Sequence, residues 1–173
     1  GASGVAVILE LAKIMKKIPP PIGVSLVLFD AEDYGTSADS WSYAKGSQFF
    51  AQNIPINYPM YAINLDMIAD REPEFYIERY SYQQNPTLVL ELWELAESLN
   101  LDTFKKQAKY TIFDDHVPLY QMAGIPAIDI IDFDFPSEKT NYHHTHQDIV
   151  QNCSPKGLGE VGTLMLNHIY NIK

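Results

Sequence analysis

Two periods of apolar residues alternate along this chain. From Ser3 onward Val7, Ile8, Leu11, Ile14 and Met15 recur at helical spacing, and Lys13, Lys16 and Lys17 face away from them. Pro19-Pro20-Pro21 then stops the helix. Val24 to Phe29 is a short continuous apolar run, the pattern of a strand buried on both faces. Residues 47–53 suggest a helix after a polar loop over 36–46. A second strand is predicted over 61–65 and an alternating one over 74–77. Leu88, Leu92, Leu95 and Leu99 define a helix over 87–99, and a short helix over 118–123 ends at Gly124. Residues 125–131 form a third good strand, interrupted only by Asp129, and a last helix spans 155–171. Strands alternating with helices predict a mainly parallel sheet covered on both faces, a three-layer α/β/α sandwich. No repeat, low-complexity tract or second domain boundary is visible, so residues 1–173 read as one domain.

The polar residues gain meaning from that layout. In open α/β sheets ligands bind outside the carboxyl ends of the strands. The first strand ends in Asp30, Glu32 and Asp33, and the second ends in Asp66. Asp114-Asp115-His116 precedes the third, and a loop carrying His143, His144 and His146 follows it. Each group has a plainer reading: Asp66, Asp114 and Asp115 as helix caps, the histidines as a solvated loop, Asp30 as a turn residue. Their convergence on one sheet edge favours a site. Imidazole and carboxylate donors suit zinc, and a neighbouring carboxylate that is not a ligand can move protons. Adjacent residues at a strand end point to different sides, so Glu32 and Asp33 can divide these tasks.

Composition narrows the classes. The 173 residues are 46% hydrophobic and 20% charged, enough for a real core. A net charge of -10 with no basic cluster argues against nucleic-acid binding. No run approaches the ~18 apolar residues of a membrane span. The single Cys153 excludes an intrachain disulfide and a cysteine-rich zinc site, and reads as a small hydrophobe. The sequence opens without Met directly into a helix, as a chain that starts mid-domain would. Trp93, mid-helix, reads as core. Tyr80, Tyr82, Gln83 and Gln84 fit either a cleft or a solvated loop.

Five ordered motifs carry a resemblance. Gly1-Ala2-Ser3-Gly4, Phe29-Asp30-Ala31-Glu32-Asp33-Tyr34-Gly35, Asn64-Leu65-Asp66-Met67-Ile68, Asp114-Asp115-His116-Val117-Pro118-Leu119 and His144-Thr145-His146-Gln147-Asp148 span the chain. Together they resemble the zinc-dependent aminopeptidase superfamily, which also contains animal-type glutaminyl cyclases. The resemblance implies a zinc exopeptidase (phosphorylase/hydrolase-like) fold, of which this chain would be the C-terminal portion of the catalytic domain, truncated at its N-terminus. Di-zinc aminopeptidases usually carry Glu-Glu at Glu32-Asp33, and Ser or Thr at Asp114. The cyclase branch carries Asp-Asp-His, as here, and a Trp-bearing insertion resembling residues 40–47. Asp33 followed by Tyr34-Gly35 looks like a bacterial subgroup of such cyclases.

The resemblance also implies roles. Asp33 and His144 would be zinc ligands, Glu32 the proton shuttle, and Asp66 and Asp114 the acids supporting it. Trp41 and His143 would line the substrate pocket, although many cyclases have Trp at the position of His143. His143 and His146 remain rivals of His144 for the metal. The implied activity is conversion of N-terminal Gln to pyroglutamate with release of ammonia, on peptide or protein N-termini. The alternative is an aminopeptidase in which Asp66 binds a second zinc; a non-catalytic homologue and a structural piece of an assembly are further readings. A zinc-binding Asp is expected just before Gly1, so this chain alone is expected to bind zinc weakly and to have little activity. A periplasmic or secreted parent is implied by resemblance.

Overall fold

Helix α1 (Ala2–Lys17) forms on the first apolar stripe and buries Val7 and Leu11. Lys16 and Lys17 in its last turn complement the negative end of the helix dipole. The computed structural model describes all 173 residues except Ile56, Glu138 and Lys173. After a 3-10 turn (Ser40–Ser42) come α2 (Lys45–Gln52), β1 (Ala62–Asp66), β2 (Phe75–Ile77), α3 (Arg79–Gln84) and α4 (Pro86–Ser98). Then follow β3 (Phe104–Ala108), α5 (His116–Ala123), β4 (Ala127–Ile131), the short hairpin β5 (Pro136–Ser137) and β6 (Thr140–Asn141), and α6 (Pro155–Asn171).

β1 pairs in parallel with β4, placing Asn64 opposite Asp129 and Leu65 opposite Ile130. β2 pairs in parallel with β3. Side chains alternate between faces along a strand, so this register divides the β1–β4 pair into two chemistries. Ile63, Leu65, Ile128 and Ile130 join the large cluster built with α1, α4 and α6, which also buries Trp93 and Leu164. Asn64, Asp66 and Asp129 project to the opposite face, toward α5. There a smaller cluster of Leu119, Ile125 and Ala127 packs with Phe29 and Phe50. The result is the expected mixed α/β architecture, with helices on both faces of parallel strands. Among the described residues, no helix is long and apolar enough to cross a membrane.

Three elements depart from the sequence pattern. Residues 24–29 run extended, but among the described residues they pair with no strand, and Leu26 and Leu28 are exposed. A cavity of about 1280 Å³ is lined by this segment and by β1. The other two elements lack an apolar signature. Helix α3 is set instead by Glu78, whose carboxylate accepts the backbone N–H of Tyr80 and of Ser81. β3 buries only Phe104, which Lys105, Lys106 and Gln107 follow. Trp93 is core as its spacing predicts, and its indole N–H donates to the Lys105 carbonyl at 3.0 Å.

Candidate active site

The extended segment 24–29 delivers the chain to a sharp turn at residues 30–33. Ala31 adopts φ 52°, a left-handed conformation that side chains rarely take. That turn leaves Glu32 half-buried at the cavity wall and Asp33 exposed. Three backbone bonds hold it against the start of α2: Ala44 N–H to Glu32 O (2.8 Å), Lys45 N–H to Ala31 O (3.2 Å) and Gly46 N–H to Asp30 O (3.0 Å). The approach at Gly46 requires glycine, because a Cβ there would stand 2.5 Å from Asp30 O. Trp41 sits on the 3-10 turn, where Asp39 caps it, and packs edge-on against Phe113 with ring centroids 5.1 Å apart.

Opposite Glu32, the carboxyl end of β1 supplies Asp66, and Met67 turns the chain away at φ 50°. Asp66 Oδ1 lies 2.7 Å from the Gly1 nitrogen at the start of α1. Asp114, immediately before α5, is buried, and its Oδ2 accepts a hydrogen bond from Asn64 at 2.9 Å. Glu32, Asp66, Asp114 and Asp115 all line the same cavity. Crowding four carboxyl groups into partly dry space disfavours their charged forms. Burial first, then the charge of Asp114, pushes the Glu32 carboxyl up to about 8. Burial and then Asp66 push Asp114 up to about 7, and burial raises Asp115 to about 6. A carboxyl tuned to near neutrality can both accept and return a proton at physiological pH.

The histidine loop completes the site. His144 is itself left-handed at φ 58° and brings Nε2 to 2.6 Å from Asp33 Oδ1. His143 stacks on it with ring centroids 3.7 Å apart. Asp33, His143 and His144 each offer one ligand atom, and these lie within 4.8 Å of one another. One carboxylate oxygen and two imidazole nitrogens form a donor set that a zinc-like cation accepts, so the residues fit a metal. His143, expected at the substrate pocket, thus also stands among the potential ligands, with Phe133 on its other side at 5.3 Å. Burial, and then the adjacent His144, lower the pKa of His143, favouring the neutral imidazole that a cation needs. His146 is exposed and lies outside this group.

The sequence profile of peptidase family M28 matches residues 1–169. The chain belongs to peptidase family M28. Among solved structures, this M28 chain is similar to the glutaminyl cyclase of Tannerella forsythia (36% identity, TM-score 0.93), covering 100% of this chain and 63% of that one. It is also similar to a Zn-dependent exopeptidase from Parabacteroides distasonis (34% identity, TM-score 0.92), covering 99% of this chain and 62% of that one. A curated relative, Aminopeptidase YwaD of Bacillus subtilis, is 26% identical over 176 residues, which is 97% of this chain and 36% of that protein. The M28 chain therefore spans less than two thirds of the length of these relatives. The fold of this chain coincides with that of the two solved structures, one a glutaminyl cyclase and the other an exopeptidase.

Within the M28 chain the structure gathers Glu32, Asp66 and Asp114 around one cavity and sets Asp33, His143 and His144 together. Trp41 stands beside Phe113, the residue that precedes Asp114. The sequence pattern marks His116 beside Asp114 but gives no role to the buried polar residues Asn64, Glu78 and Asp129 that stand behind them. One signal was present, since a lone Asp in the apolar run 125–131 needs a polar partner.

Proposed function

We propose that the native protein carrying this chain is a zinc-dependent glutaminyl-peptide cyclotransferase. The observation that carries this reading is the buried Asp114 facing the Glu32–Asp66 cavity, with Asp114 and Glu32 both raised toward neutrality. By resemblance this position is Asp in the cyclase branch and Ser or Thr in the di-zinc peptidases. Asp33 and His144 would hold the zinc, and His143 stands near enough to join them or to face the substrate. Bound there, zinc would polarise the side-chain amide carbonyl of an N-terminal glutamine.

The chain's own groups then account for the protons. The α-amine of the substrate attacks the side-chain amide carbon, forming the ring C–N bond. Glu32, unprotonated at the start, takes one proton from that amine. The bond from the amide carbon to its own nitrogen breaks, and Glu32 returns the proton to the departing nitrogen, which leaves as ammonia. No net proton is consumed, and Glu32 ends as it began. Asp66 and Asp114 tune Glu32 through their charge, and Trp41 supplies an aromatic wall for the substrate. We place the protein outside the cytoplasm, periplasmic or secreted, by resemblance.

A second reading is favoured by the similarity to an aminopeptidase and to a Zn-dependent exopeptidase. In it Glu32 takes its proton from an attacking water, the first peptide bond breaks, and Asp66 ligates a second metal. Mass spectrometry of two peptides that differ only in their first residue separates the readings. The Gln-initiated peptide is expected to become lighter by one ammonia, and its Leu-initiated counterpart to stay whole. Shortening of either peptide by its first residue would establish the aminopeptidase.

A further inference from the structure

We propose that Asn64 is a positioning residue that fixes the Asp114 carboxylate toward Glu32, backed by a buried polar ring reaching Glu78; this rests on the role given to Asp114 above. Asn64 occupies the middle of β1, with Ile63 and Leu65 turned to the apolar face. Its amide nitrogen lies 2.9 Å from Asp114 Oδ2 and 3.1 Å from Asp129 Oδ1. A side-chain amide nitrogen carries two hydrogens, so Asn64 donates one to each carboxylate. The other oxygen of Asp114 accepts the Asp115 N–H at 2.5 Å. Both oxygens of Asp114 are thus held, and the plane of the carboxylate is set.

Behind Asn64 the support continues inward. Asp129 is its cross-strand neighbour on β4 and is fully buried. Among the described residues, neither Asp129 Oδ2 nor Nδ1 of buried His116 has a hydrogen-bond partner, and the two lie 3.8 Å apart. His116 Nε2 lies 3.2 Å from Glu78 Oε2. The Glu78 carboxylate accepts the backbone N–H groups of Tyr80, Ser81 and Ile112, which locks it to the start of α3. The Ser81 hydroxyl closes the ring, donating to Glu78 Oε2 and accepting the Asp129 N–H. Four elements, β1, α3, α5 and β4, therefore share one network whose outlet to the cavity is Asp114.

A purely structural network would bind those elements together and nothing more, and the distinction lies in what fails when Asn64 changes. Replacing Asn64 leaves Asp114 Oδ2 without its donor and the carboxylate held through Oδ1 alone, and a shift of about 1 Å in a reacting geometry costs roughly a hundredfold in rate. The test uses the native zinc-loaded protein with Asn64→Leu, which keeps the branched shape without the donor, and Asn64→Ser as a smaller second variant. In whichever variant folds with the wild-type zinc content, kcat is expected to fall by about tenfold or more while KM stays within about twofold. Its crystal structure is expected to show the Asp114 carboxylate turned from its wild-type plane. An unmoved Asp114, an unchanged kcat, or a loss that follows KM or zinc content would overturn the proposal. The wild-type products judge the cyclase reading separately. If the wild type releases the first amino acid, that reading fails, and the ratio of variant to wild-type turnover still judges Asn64.

Discussion

At the scale of single residues, the proposed reaction depends on Glu32 changing protonation near neutrality. As a general base Glu32 must be unprotonated, so kcat/KM rises as pH passes upward through its pKa. Burial is the main cause of its rise to about 8, and the charge of Asp114 is the next. Asp114→Asn removes that charge, which lowers the Glu32 pKa. The acid limb of kcat/KM should therefore move to lower pH in Asp114→Asn, even as kcat falls. Profiles on one peptide with both proteins check this, and a limb that stays or moves upward would contradict it. Glu32, Asp66 and Asp114 were legible in the sequence because they follow or precede strands, where α/β sheets bind ligands. Asn64 and Asp129 were not, because each lies inside an apolar run. Their joint purpose appears only when the β1–β4 register sets them side by side.

At the scale of elements, the site's geometry depends on how closely α1 approaches the carboxyl end of β1. A Cβ on Gly4 would stand 1.9 Å from the Leu65 carbonyl oxygen, which is backbone and cannot swing aside. Gly4→Ala should therefore push α1 outward and destabilise the fold by about 1–3 kcal/mol. Chemical denaturation reads this, and stability equal to wild type would show that the contact relaxes freely. The helices with apolar stripes were legible in the sequence, and α6 (Pro155–Asn171) has the predicted bounds. Helix α3 was hidden because a side-chain cap sets it rather than a stripe. β3 was hidden because only Phe104 is buried in it. Residues 24–29 carry a buried-strand pattern yet, among the described residues, pair with no strand, since periodicity reports burial preference and not the presence of a partner.

At the scale of the whole molecule, acidity is concentrated where the parallel strands end. The chain carries a net charge of -10, and several of its acids are buried rather than spread over the surface. Asp114 rises to about 7, and Asp115 and Asp132 to about 6, from an ordinary value of 3.8, each chiefly through burial. Between those values the folded state binds more protons than the unfolded one, so stability falls as pH rises through the window. The metal-free native protein should therefore melt higher at about pH 5 than at about pH 8. The opposite order in a thermal melt would show that these carboxyls are not raised. The fold class was legible from the alternation of strands and helices, and it recurs in the glutaminyl cyclase and Zn-dependent exopeptidase structures that this chain resembles. The chemistry cannot be read at this scale, because one scaffold serves both reactions.

Both catalytic readings proposed above give Glu32 the proton, and both place the metal at Asp33 and His144. The most direct measurement is turnover of Glu32→Gln in the native protein, with zinc content determined on the same sample. The expected result is a loss of about a hundredfold to ten-thousandfold in kcat with zinc bound as in the wild type. Turnover close to wild type in a zinc-loaded Glu32→Gln protein would contradict the assignment of Glu32 as the proton carrier.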